Sequence, residues 1–153
     1  MQNSQPFKNA LFNACLEFVD SRLNAITHTI NEIQVSLTSE TKSSAGDKHE
    51  TGRAMLQLER EKAGNQLAEI KKTKEILFKI DVSKSTNQVG LGSVIYTNKA
   101  NYFIAISAGE LTVNNTKFYA ISAQTPIGKL LMGKAVNSKI KFRDDVFILE
   151  KIF

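Results

Sequence analysis

The sequence has no tryptophan, two prolines and a single cysteine in 153 residues. With Cys15 alone, an intrachain disulfide is excluded, and the expected compartment is a reducing one. No apolar run approaches the roughly 18 residues that a membrane-spanning helix needs. The start, MQNSQPFKNALFNACLEFVD, lacks a basic stretch followed by a continuous apolar core. No signal peptide is therefore expected, and the expected location is the cytoplasm, away from any membrane. His49 has no second His or Cys near it to complete a zinc set. His28 lies inside a helical run, off its apolar seam, and is assigned no role. Glycine and proline are also missing from the long stretch between Pro6 and Gly46, so nothing there interrupts a helix.

What is present is an ordinary globular composition, 42% hydrophobic and 23% charged, which argues against wholesale disorder. The net charge of +5 is unevenly spread. From Met1 to Phe78 there are ten Lys/Arg and ten Asp/Glu, a balance of zero. From Lys79 to Phe153 there are ten and five, 10 − 5 = +5. A charge-neutral half followed by a basic half implies two modules with different surfaces, 1–79 and 80–153. The blander reading of the lysine excess is solubility.

In the first module Phe12, Leu16, Val19, Leu23, Ile26, Ile30, Ile33 and Leu37 recur at alternating steps of four and three, an unbroken heptad seam. A second run, TGRAMLQLEREKAGNQLAEIKKTKEILFKI, places Leu56, Ala63, Leu67, Ile70 and Leu77 on one face, with Arg60 and Lys74 between them. Two such helices joined by a short polar link must run antiparallel, with a tip near 40–50. At about 1.5 Å per residue each reaches on the order of 45 Å. So narrow a stripe suits one partner helix. Phe18 and Val35 fall outside the seam, and pairing of two copies through them is the alternative use of such a rod.

The second module changes period. GSVIYT, NYFIAIS, ELTVNNTKFYAIS, SKIKFR and DVFILEKIF are short, β-branched and aromatic. Asn114-Asn115 suits a two-residue hairpin turn because Asn tolerates positive φ, and Asp144-Asp145 is expected to turn the last hairpin in the same way. TPIGKLLMGK is expected to form one short helix, capped by Thr125, opened by Pro126 and ended by Gly133, with Ile127, Leu130 and Leu131 toward the sheet. VGLG forms no nucleotide fingerprint and is expected to be a strand-entry turn. The expected fold is α+β: an N-terminal antiparallel coiled-coil hairpin, then a small antiparallel sheet domain with one short helix.

Two stretches carry a resemblance. GDKHE at the hairpin tip resembles the G-D-x-x-E tip of the bacterial Gre transcription elongation factors, which stimulate transcript cleavage. SAQTPIGKLLMGKAVNSKIKF resembles the S-x-x-S-P-[IL]-[GA]-x-x-L-[IL]-G-K segment of that family's C-terminal domain, in the same order along the chain. The resemblance covers most of the sequence. It implies an FKBP-like C-terminal domain and RNA polymerase as partner. In the family the hairpin enters the polymerase's secondary channel and reaches the 3′ end of nascent RNA. There the tip acids help hold a second Mg²⁺ belonging to the polymerase site. Carried over, Asp47 and Glu50 take the places of those catalytic, metal-holding acids, and Thr125 and Pro126 that of the docking Ser-Pro. The protein would then be no enzyme by itself. After the tip Glu the family has Asn, a small residue and another acid, whereas here stand Thr51, Gly52 and Arg53.

Other readings of these residues stand beside this one. Asp47 and Glu50 match a capping box before a helical run. Arg53 either neutralises the tip or, with Arg60, contacts RNA phosphate; as ordinary helix charges they are simply solvated. Tyr96, Tyr102, Phe103, Phe118 and Tyr119 alternate at strand spacing, which suits a core better than a base-stacking platform. Two further functions remain open: a channel-binding regulator without cleavage, and an FKBP-like prolyl isomerase or chaperone.

Overall fold

A computed structural model describes residues 5–42 and 47–153, with side chains described over 6–39 and 50–153. Two long helices come first, α1 (Gln5–Lys42) and α2 (Asp47–Phe78). Six strands and one short helix follow. They are β1 (Val94–Thr97), β2 (Asn101–Ala105), β3 (Gly109–Val113), β4 (Thr116–Ser122), α3 (Pro126–Leu131), β5 (Lys139–Phe142) and β6 (Asp145–Ile152). Packing divides the chain into two compact units, Met1–Phe18 with Lys74–Phe153, and Val19–Thr73.

In the Val19–Thr73 unit the seam forms as its spacing requires. Ile26, Ile33 and Leu37 are buried against Ala63, with Ile30, Leu56, Leu67 and Ile70 packed around them. Ala63 is the small residue at which the two backbones can draw together. Val35 projects away from the seam, 68% exposed.

In the other unit the strands form one sheet in the order β3-β4-β2-β1-β6-β5. Four of its five pairings are antiparallel, as expected. The fifth is not: β2 and β4 run parallel, Phe103 opposite Ala120. The β3–β4 hairpin folds back so that β4, not β3, enters beside β2, and no local pattern encodes that choice. Asn114 and Asn115 make the hairpin turn with φ of 51° and 64°, between the paired Val113 and Thr116. The last turn differs from expectation. Phe142 pairs with Asp145, so Arg143 and Asp144 make the turn, Arg143 with φ 57°.

One sheet face carries Ile95, Ile104, Ile140, Phe147 and Leu149 around Leu131 of α3. Leu131 is fully buried and Ile127 packs alongside, but Leu130 points outward at 38% exposure. The opposite face meets the first turns of α1. Phe7 stacks on Phe118 at 6.2 Å and meets Phe153 edge-on at 5.6 Å. At this end of α1 the fully buried pair is Leu11 and Cys15, rotated from the Phe12 and Leu16 of the heptad pattern. Lys8 is buried with them and donates from Nζ to the carbonyl of Lys84 at 2.8 Å. Burial lowers the Lys8 pKa, and the nearby Asp81 carboxylate only partly opposes this. The Cys15 thiol, buried without a compensating charge, is pushed up to about 12.

Candidate functional site

Two places in the chain carry the residues singled out above, and each lies within one unit. The first is the start of α2. Asp47 opens that helix, so Asp47 and Glu50 share its first turn. Glu50 is exposed. The Asp47 side chain, and with it the capping-box reading, lies outside the described residues, as do residues 43–46 of the tip. The first turn of a helix presents unpaired N–H groups and a positive dipole end, which favour carboxylates there whether or not a metal is near.

Arg53 stands one turn further on. Its Nη1 donates to the Leu37 carbonyl of α1 at 3.3 Å, a hydrogen bond that crosses from one helix to the other. A carboxylate at position 53, the residue type the Gre pattern has there, could only accept hydrogen bonds and could not make this contact. Arg60 is half-buried and its guanidinium folds back along its own helix, 3.1 Å from where a Cβ on Gly64 would lie. Heptad spacing alone leaves Arg60 a gap in the seam, and the missing signal was Gly64, which opens room one turn later.

The second place is the turn between β4 and α3. Thr125 is the N-cap of α3: its Oγ1 accepts from Gly128 N at 3.1 Å and donates to the Ser122 carbonyl at 2.7 Å. Ser122 Oγ accepts from Gln124 N at 3.1 Å. Pro126 occupies the first helical position, where its missing N–H costs nothing, and is exposed. Gly128 is required, since a Cβ there would lie 2.2 Å from the Ser122 carbonyl oxygen. Gly133, with φ 81°, ends the helix and donates to Val89 O at 2.8 Å. Ser122, Thr125, Gly128 and Gly133 thus each have a folding reason of their own, and Pro126 suits the first helical position while staying exposed.

The aromatics divide between the two sheet faces. Tyr96 and Phe118 join Phe7 and Phe153 in a ring of four contacts at 5.6–6.2 Å, bordering a pocket of about 270 Å³. Burial pushes the Tyr96 hydroxyl pKa up. Tyr102 packs on Tyr119 and Phe147 across the other face, and its hydroxyl pKa is likewise raised by burial. Phe103 and Phe118 are buried, Tyr96 and Tyr102 are half-buried, and Tyr119 is 39% exposed. The five rings thus divide between two packed faces and do not line up on one open surface, which suits the core reading for most of them.

No family model matches the sequence. No curated relative matches either. The chain is similar to two solved structures of one Gre-factor homologue. The crystal structure of GreA factor homolog 1 (Gfh1) protein of Thermus thermophilus is 17% identical, with 90% of this chain and 93% of that one covered, at a TM-score of 0.36. A structure of the transcription factor Gfh1 is 20% identical, with 89% and 91% covered, at a TM-score of 0.35.

Proposed function

We propose that this protein is an RNA polymerase-binding transcription elongation factor of the Gre kind. Its paired helices enter the polymerase's secondary channel, and the α3 turn, with Pro126 exposed at the first helical position, docks at the channel entrance. The observation that carries the reading is the joint occurrence of two sequence elements on matching structure. Two tip acids share the first turn of the second long helix, and the docking segment forms a capped helix on the sheet unit.

The donor set at the tip suits a shared Mg²⁺ site. Mg²⁺ takes one or two carboxylates and leaves its remaining positions to water or substrate oxygens, so Asp47 and Glu50 would supply only part of its shell. The ion, when bound with the polymerase's own metal, would supply an activated water for cutting backtracked RNA. On this reading the two acids would complete a site that belongs to the polymerase, and the protein would not catalyse alone. The test is transcript cleavage in stalled elongation complexes with added protein. Stimulation that vanishes in Asp47→Ala and in Glu50→Ala supports the role of the acids. Undiminished cleavage in both variants rejects it, and failure to co-purify with polymerase rejects the partner.

One observation favours a second reading, a channel-binding regulator that does not stimulate cleavage. The residue in the place of a third acid is a cation, and it is committed to the Leu37 carbonyl. That reading is discarded if the unmodified protein accelerates cleavage with Mg²⁺. The aromatic pocket beside Tyr96 leaves a prolyl isomerase testable as well: a proline-peptide isomerisation assay at background rate removes it.

A further inference from the structure

The sheet face that meets the start of α1 is covered unevenly. Ile140 of β5 and Phe147 and Leu149 of β6 point into the core around α3. Side chains alternate along a strand, so Lys139, Lys141, Val146 and Ile148 point to the opposite face, the α1 side. The cross-strand pairs Lys139–Ile148 and Lys141–Val146 set the four side by side. Further in on that face, Val94 and Phe103 have no exposure and Phe118 only 1%. Val146 and Ile148 are each 41% exposed, and both lysines are exposed. The cover over β4, β2 and β1 therefore stops short of β6 and β5, and β5 is an edge strand.

The charge of this open end selects its partner. From Leu111 to Arg143 the chain has six cations and no acid. Lys151, opposite Tyr96 on the same face, adds a further ammonium group beside the patch. The neighbouring acid, Glu150, is the residue that the β-bulge leaves without a cross-strand partner. Two other lysines of the sheet unit are already matched: Lys99 pairs with Asp145 at 3.0 Å and Lys117 with Glu110 at 3.6 Å. Lys139, Lys141 and Lys151 hold no ion pair among the described residues. A second copy does not suit this edge, because pairing two such strands sets lysine against lysine, the arrangement that keeps exposed edges apart. Nucleic acid suits it poorly as well. The rings of this end, Phe142 and Phe147, belong to the α3 side, so bases find no stacking surface beside the lysines, whereas two β-branched side chains stand open there. What suits it is an acidic protein segment. Aliphatic side chains would cover Val146 and Ile148, and carboxylates would meet two ammonium groups whose residues lie about 7 Å apart along β5.

We infer that the open β5–β6 face docks an acidic, partly apolar element of a protein partner. α3 packs on β5 through Ile127, Leu131 and Ile140, so the exposed Pro126 turn lies at the same end of the sheet. The inference rests on the polymerase reading for the identity of that partner: this face is a second contact on the protein that Pro126 meets. Binding of the full-length chain to purified RNA polymerase, measured across a salt series, tests it. Lys139→Glu combined with Lys141→Glu weakens binding by about tenfold or more at low salt and flattens its salt dependence. Lys139→Gln with Lys141→Gln, which removes the charges without reversing them, gives a smaller loss of the same kind. Val146→Ser with Ile148→Ser weakens binding at high salt as well, where screening leaves the apolar contact intact. Lys117→Gln, at a lysine already paired toward the other edge of the sheet, stays within about twofold. If the unmodified protein binds and the lysine variants bind equally well, this face is overturned while the polymerase reading stands. If the unmodified protein does not bind, both fall. Lysine-dependent binding to single-stranded oligouridylate as tight as that to the polymerase overturns the protein partner in favour of phosphate. Lysine-dependent self-association in sedimentation overturns it in favour of a second copy. Thermal melting by circular dichroism, unchanged in the glutamine variants, assigns their loss to the surface and not to folding.

Discussion

The two units hold themselves together by different means. The sheet unit buries side chains on both faces of its central strands β1 and β2, and Val94, Ile95, Phe103, Ile104, Leu131 and Leu149 have no exposure at all. The helix pair of Val19–Thr73 buries one seam, and its best-buried residue there after Val19, Ala63, retains 4% exposure. A layer covered on two sides loses more contact when a side chain is cut back than a seam that relaxes toward solvent. The same class of substitution should therefore cost more in the first unit than in the second.

The largest effect expected is Leu131→Ala, about 3–5 kcal/mol in urea denaturation, because the site lies between α3 and the sheet with no route to collapse. A loss below about 1 kcal/mol would refute the two-sided core. The alkaline limb comes next. The Cys15 thiol has a folded pKa of about 12 against an ordinary 9.0, so the folded state keeps its proton after the unfolded chain has released it. Stability from this group is full below pH 9, falls by up to about 1.4 kcal/mol per pH unit above it, and is gone by about pH 12. Cys15→Ala should flatten that limb of the pH–stability curve. In the helix pair, Ile33→Ala should cost about 2 kcal/mol, and a value equal to that of Leu131→Ala would erase the contrast between the units. Thr125→Ala removes the α3 cap and should cost about 1 kcal/mol by the same assay, with Thr125→Ser close to unchanged. Val35→Ser, on the outer side of the seam, should stay within about 0.5 kcal/mol.

Much of this is legible in the sequence, and the differences share one cause. The seam from Ile26 to Leu37 and the Asn114-Asn115 turn follow from periods and dihedral preferences local to a few residues. The helix over TPIGKLLMGK was legible for the same reason, because Thr, Pro and Gly each act on their own turn. Leu130 was misplaced because helix spacing alone does not say how wide a stripe the sheet will cover. The last turn slipped by one residue because two successive aspartates offered a plausible pair, while the β5–β6 register selected Arg143-Asp144. Of the candidate site, the tip acids and the capped turn were visible as motifs. The commitment of Arg53 to Leu37 was not, since its partner sits sixteen residues away on another helix.

The sequence by itself determined the elements: two long helices with one shared apolar seam, a change of period near residue 80, and a set of caps and turns at single positions. Periodicity is a property of each segment and survives without knowledge of its neighbours. Only the tertiary structure decided which side of each segment is inside. It paired β2 with β4 in parallel, turned the start of α1 so that Leu11 and Cys15 replace Phe12 and Leu16, and enclosed a lysine at position 8. Burial belongs to a pair of surfaces, and one surface read alone does not name its partner.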